Sequence, residues 1–266
     1  MYQSPPAFEW DKISDFITCG NTYGLAHFEF AFEVANASGT TYMIRKKHFE
    51  SEYELANYYS SLHRVLAVHV GGMRRDDEIL GPLRFDVDVT DWADCCSCNC
   101  SQNKTVCAHC WCFANLAMYC LHETLRKDFG FKDITTFYSG RRGFHMYIRD
   151  EQVYAMTGEE RCHIRDMLKY DPASPTLLAC MHRCLPTMRT FFAQHIKPHH
   201  EPMAQIDETV DRQLLSVCWP RVDPNPLTQP AHLLRCPYTK HGATGRLVHP
   251  IEADEFLVFS PFPSPP

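Results

Sequence analysis

Along residues 24–50 the chain alternates apolar and polar positions around His27, Phe28, Glu29, Phe30 and Phe32, turns at "ANASGT" and returns through "TYMIRKKHF". Period two predicts strand, turn and strand. The period then changes. "SEYELANYYSSLHRVL" has helical spacing, with Tyr53, Leu55, Tyr58 and Leu62 on one face and Ser51 and Glu54 marking its start. "AVHVGGM" and "LRFDVDV" read as further strands, and residues 111–129 as a helix with Trp111, Leu116, Tyr119 and Leu125 on its apolar side, ending at Gly130. "ITTFYSGRRGFHMYIRD" predicts a hairpin. Residues 151–217 carry helical pattern interrupted by prolines, including a core stripe of Leu177, Leu178, Met181, Leu185 and Met188, before strand, loop and a Pro-rich end. No internal repeat is visible. The sum is an α+β chain, with a central mixed or antiparallel sheet and a late helical excursion.

Composition narrows the class. At 266 residues, 45% hydrophobic and 22% charged, the chain reads as a soluble globular protein of one large domain or two small ones. It has no run of 18 apolar residues, and "MYQSPPAFEWDKIS" lacks the features of a signal peptide, so the expectation is an intracellular, unsecreted protein with no membrane partner. In a reducing compartment its 14 cysteines read as metal ligands or buried thiols rather than a disulfide framework. A net charge of −6 neither proposes nor excludes nucleic acid, because net charge says little about a local groove.

Chemistry concentrates in three stretches. In "LRFDVDVTDW" the alternation sends Phe85, Val87 and Val89 to one face and Arg84, Asp86, Asp88 and Thr90 to the other. The Asp86 and Asp88 side chains then stand roughly 6 to 7 Å apart along the strand, close enough to grip a divalent ion or a pair of ions. Asp91 and Asp94 read as a solvated turn. In "CCSCNCSQNKTVCAHCWC" the Cys107–Cys110 spacing is that of half a structural zinc site. Cys95 and Cys96 are the expected other half, with Cys98 and Cys100 as competitors and His109 as a substitute; a reduced cysteine-rich loop and an iron-sulfur site remain open. Four thiolates would leave zinc no open position for catalysis. In "YSGRRGFHMYI" Ser139, Gly140, Arg141, Arg142 and Gly143 form a turn, with His145 facing opposite to Phe144 and Met146. Glycines permit close backbone approach and guanidinium forks match phosphate oxygens, which suits a triphosphate. His199 and His200, in a proline-bracketed loop, read as surface residues; Lys46, Lys47 and Lys104 serve solubility or a template groove.

In order, "LRFDVDVTDW", the cysteine cluster ending "CAHCW", "DFGF", "YSGRRGFH", "CWPRVD" and "HLLRCPYTKHGATGRLVHPI" resemble the small catalytic subunit of archaeal and eukaryotic DNA primases, over roughly residues 25–150 and 217–252. The resemblance implies a primase catalytic core, a mixed two-layer α/β arrangement with central sheets, a structural zinc site and a short helical insertion. It implies boundaries of 1–150 for the first part of the core, with the zinc motif at 95–110, 151–217 for the helical subdomain, and 218–266 for the last part. Asp86, Asp88 and Asp223 match the family's catalytic carboxylates, which hold two magnesium or manganese ions. Ser139, Arg141, Arg142 and His145 match its nucleotide-phosphate motif; Arg45, Arg235 and His241 match further residues of that pocket, with Arg235 standing where the family usually carries Lys. The implied partners are a large subunit with an iron-sulfur cluster, a replicative DNA polymerase complex, single-stranded DNA template and nucleoside triphosphates. In an ordinary eukaryote the address would be the nucleus. A primase-like polymerase extending existing ends, and a noncatalytic zinc-stabilised adaptor, are the competing readings.

Overall fold

The period-two stretches form two antiparallel sheets with helices packed against them, in a computed structural model that describes residues 9–18, 24–100, 102–103, 105–173 and 178–262. The chain runs α1 (Trp10–Thr18), β1 (Phe28–Ala35), β2 (Thr41–Lys47), α2 (Glu52–Ser61), β3 (Val65–Arg75), β4 (Glu78–Leu80) and β5 (Leu83–Asp88). It continues through α3 (Ala108–Lys127), β6 (Ile134–Tyr138), β7 (Gly143–Ile148), α4 (Glu151–Tyr154), α5 (Gly158–Leu168) and α6 (Ala179–Phe191). The last elements are α7 (Asp211–Cys218), α8 (Pro224–Thr228), β8 (Leu234–Arg235) and β9 (Pro250–Ile251). One sheet has the order β2-β1-β3-β4, with β8 also on β3; the other has the order β5-β7-β6-β9. This is the expected α+β class. No helix among the described residues is long and apolar enough to cross a membrane.

The strand β5 shows why the site lies where it does. Phe85 and Val87 are fully buried and Val89 is nearly so; such burial stabilises by about 1.5–3 kcal/mol per side chain. The opposite face begins with Arg84, only 1% exposed, which donates to the carbonyls of Val70 on β3 and Pro230 ahead of β8. Arg84 therefore ties the two sheets together beneath the polar face of β5, and the cleft above that junction holds Asp86 and Asp88. Arg161, fully buried, does similar work for α5: its guanidinium donates to the carbonyls of Gly81 at 2.7 Å and Val153 at 2.9 Å, fastening the helix to the entry of β5. Trp92 stacks on Phe113 of α3, centroids 5.8 Å apart, and its indole N–H donates to the Val217 carbonyl.

Ser51 caps α2 by accepting from the Glu54 N–H, as its sequence suggests, and Leu55 is buried. Tyr53, expected beside Leu55, is 74% exposed; position 53 lies too far round the helix to share the face of Leu55. The helix expected from residue 111 begins at Ala108, because Cys107 takes the extended cap conformation one turn earlier. Gly130, at φ +75°, adopts the left-handed backbone just beyond the end of α3. In α6, Met181, Leu185 and Met188 form the expected buried stripe, whereas Leu178 caps the helix and is exposed. Leu177 and Lys104, together with the ends of the chain, lie outside the described residues.

Candidate functional site

Pairing of β5 with β7 sets Asp86 opposite His145 and Asp88 opposite Gly143. The register carries the acidic face directly against the turn of the arginine hairpin. Asp88 is held at both oxygens: Oδ1 accepts from the Thr90 N–H at 2.9 Å and hydroxyl at 2.7 Å, and Oδ2 meets Arg142 Nη2 at 2.7 Å. Asp86 Oδ1 lies 3.6 Å from His145 Nε2. The third carboxylate arrives from the far end of the chain, where the Asp223 N–H donates to the Asp86 carbonyl at 2.9 Å and forms an isolated antiparallel bridge on the free edge of β5.

Gathering acids in one half-buried place has an electrostatic consequence. Burial, then the charges of Asp88 and Asp223, push the Asp86 carboxyl up to about 7, against partial relief from His232 and Arg142. Asp91 lies exposed on the turn expected for it and also lines an acidic cleft with Asp86, Asp88 and Asp223, where partial desolvation and then the neighbouring acids push it up to about 6. The reason is local: the chain bends into 3₁₀ turns at Val89–Cys95 directly after β5, bringing Asp91 back toward the strand edge. Asp94 stays exposed and pairs with Arg221. A divalent cation among these oxygens would offset the repulsion from Asp88 and Asp223 that adds to burial in raising Asp86.

A cleft of about 230 Å³ abuts the acids and is lined by Asp86, Asp88, Ser139, Arg141, Arg142, His145, Arg235 and His241, with His69 and His232. Ser139 braces the turn by accepting from the Gly143 N–H at 3.2 Å. Gly140, at φ +85°, lets the loop carrying His241 close over the hairpin, and the Thr244 hydroxyl donates to the Gly140 carbonyl at 2.6 Å. Burial, then Arg235 and Arg84, hold the His145 imidazole down at about 3; burial, then Arg235 and Arg141, hold His241 at about 4. His145 and His241 are therefore neutral at physiological pH, and the arginines supply the positive charge beside them. His69 faces Arg235 across the β3–β8 pair. It escaped sequence analysis because "AVHV" shows only an alternating strand; a polar residue on such a strand was the available signal. Arg45 is placed differently from expectation: it is exposed on β2, its Nε meets Glu29 at 3.1 Å, and it does not line this cleft.

The cysteine loop lies just beyond β5. Its thiols of Cys98, Cys100, Cys107 and Cys110 lie within 4.8 Å of one another, an all-sulfur set able to hold a metal such as zinc. Cys107 and Cys110 are the expected pair. Cys98 and Cys100 stand in the group where Cys95 and Cys96 were expected. The buried Cys95 instead sits at the Asp94–Arg221 ion pair, its Sγ 3.5 Å from the guanidinium, while Cys96 groups with Cys110 and His200. His200 corrects a second expectation: it is 2% exposed rather than a surface residue, whereas His199 is exposed, its ring tilted against His109.

Comparison with known proteins agrees with this arrangement. The sequence signature of the DNA primase small subunit matches residues 85–253, well over half of the chain. The DNA primase small subunit of Schizosaccharomyces pombe is 32% identical over 178 residues, covering 63% of this chain and 39% of that protein. That of Saccharomyces cerevisiae is 39% identical over 87 residues, 32% of this chain and 20% of its own length. The archaeal DNA primase small subunit PriS of Methanocella arvoryzae is 28% identical over 182 residues, 63% of this chain and 44% of its length. The chain thus matches less than half the length of each of these relatives. With the acidic strand, the arginine hairpin and Asp223 all inside the matched span, the chain belongs to the DNA primase small subunit family.

Proposed function

We propose that this chain is a primase catalytic subunit that joins ribonucleotides into a short RNA primer on single-stranded DNA. The observation that carries the reading is a pair of adjoining clefts that share Asp86 and Asp88, one completed by Asp223 and the other by Arg141, Arg142, Arg235 and His241. In this reaction a 3′-hydroxyl oxygen bonds to the α-phosphorus of the incoming nucleotide, its proton is lost, and the bond to pyrophosphate breaks. Two magnesium or manganese ions, when bound, supply Lewis-acid charge at the attacking and leaving oxygens. Asp86, Asp88 and Asp223 would hold them. Arg141, Arg142 and Arg235 bind and orient the triphosphate, and the neutral His145 and His241 add hydrogen-bond donors without further charge. Ser139 positions the turn that aims the arginines.

We assign residues 1–150 and 218–266 to the catalytic core, since Asp223 pairs with β5, and 151–217 to a helical subdomain, since its described residues form helices and no strand. The thiolate set would hold a structural zinc ion that braces the loop after β5. A small subunit implies a larger companion, and the family's iron-sulfur large subunit and a replicative polymerase complex are the partners we assign. The address is nuclear where the host replicates its genome in a nucleus.

Arg142→Ala is expected to raise the KM for nucleoside triphosphate roughly 10- to 100-fold, the effect of losing a charge-assisted hydrogen bond. Arg142→Lys recovers only part of this, because a point charge replaces a fork. Steady-state kinetics with an unchanged KM in Arg142→Ala would remove the phosphate role. The activity itself is tested with the purified chain, unprimed thymidine homopolymer, labelled ATP and magnesium or manganese. Short RNA products support the proposal. Products that form only when an oligonucleotide primer is supplied indicate an extension polymerase, or a primase that needs its large subunit to start, and repeating the assay with that subunit separates the two.

A further inference from the structure

One thiol of the cysteine loop belongs to two groups. Cys110 lies with Cys98, Cys100 and Cys107, and it also lies with Cys96 and a ring nitrogen of His200, the donor atoms of each group falling within 4.8 Å of one another. A thiolate sulfur has lone pairs enough to bridge two metal ions. His200 is 2% exposed; Nδ1 accepts a long hydrogen bond of 3.3 Å from the Ser97 N–H, the His109 backbone also acts on the ring, and the buried Nε2 makes no hydrogen bond of good geometry. Buried polar atoms are ordinarily paired, and an imidazole beside two thiols is a borderline-soft donor suited to zinc.

We propose that the loop binds a second zinc ion, held by Cys96, the bridging thiolate of Cys110 and His200, with the fourth vertex left to solvent. This rests on the four-thiolate reading of the first ion. The second ion would latch the segment that follows α6 onto the loop that follows the acidic strand, two parts already joined where the Glu201 N–H donates to the Ser97 hydroxyl at 2.6 Å. Native mass spectrometry of the zinc-loaded protein is expected to find two ions per chain, and one ion in Cys96→Ser and in His200→Gln. Zinc X-ray absorption should show a nitrogen neighbour that His200→Gln removes, while circular dichroism reports that each variant remains folded. One zinc with sulfur neighbours alone in the unaltered protein overturns the second site and leaves the first standing. No zinc at all overturns both.

Discussion

Asp86→Asn and Asp88→Asn are each expected to lower nucleotide incorporation by roughly 10³-fold or more, the scale seen when a group that acts in the transition state is removed. Stability should move the other way for Asp86. In the folded chain its carboxyl is raised to about 7 by burial and by Asp88 and Asp223, above the ordinary 3.8. The folded state therefore holds this proton more tightly than the unfolded state, so folding stability falls as pH climbs from about 4 to about 7, and the whole penalty is present above that. Asn carries no such charge. The Asp86→Asn protein should melt above the unaltered protein at pH 8 without divalent ions, the gap should close toward pH 4, and manganese should narrow it by stabilising the unaltered chain. Melting curves across pH check the sign, and retention of full incorporation by either variant would reject the role given to these carboxylates.

Gly143→Ala should damage fold and site together. A Cβ there would lie 1.9 Å from the Val87 carbonyl oxygen and 3.1 Å from the Asp88 Cα, backbone against backbone, so neither strand can yield by turning a side chain. Accommodation requires β5 and β7 to part at the Asp88–Gly143 pair and strains the adjoining Val89 N–H to Arg142 carbonyl bond of 2.9 Å. The expected loss is about 3 kcal/mol, roughly a 10 °C fall in Tm, with incorporation reduced because Asp88 and Arg142 separate. Gly158→Ala, at a position where a Cβ meets nothing within 4 Å, is the matched control and should melt like the parent. A Gly143→Ala Tm equal to that control would contradict the register on which the site depends.

These positions also mark what can be read from a linear sequence. Asp86, Asp88 and the hairpin were legible because strand alternation is local: "FDVDV" declares its own two faces, and "SGRRG" declares its turn. Asp223 could be matched only through the family motif, since nothing local predicts that it will pair with the edge of β5. The cysteine set was half legible. Cys107 and Cys110 share one turn at the start of α3, but the choice among Cys95, Cys96, Cys98 and Cys100 depends on how the loop folds back, and Arg221, far along the chain, settles the surroundings of Cys95. His200 was misread for the same reason: the feature that buries it is the cysteine loop about a hundred residues earlier. Asp91 was legible as a turn residue, but not the bend that returns it to the acidic cleft, and Arg45 was placed by its cross-strand neighbour Glu29.

The most direct test of the central claim, that the acidic face of β5 and the arginine hairpin form one metal-dependent nucleotide site, is a titration of manganese into the protein with ATP present, followed by electron paramagnetic resonance of the free ion. Two ions taken up per chain, with uptake lost in the Asp86/Asp88 double alanine variant and weakened when ATP is omitted, is the predicted result. No uptake by the unaltered chain, or equal uptake by the double variant, would contradict it.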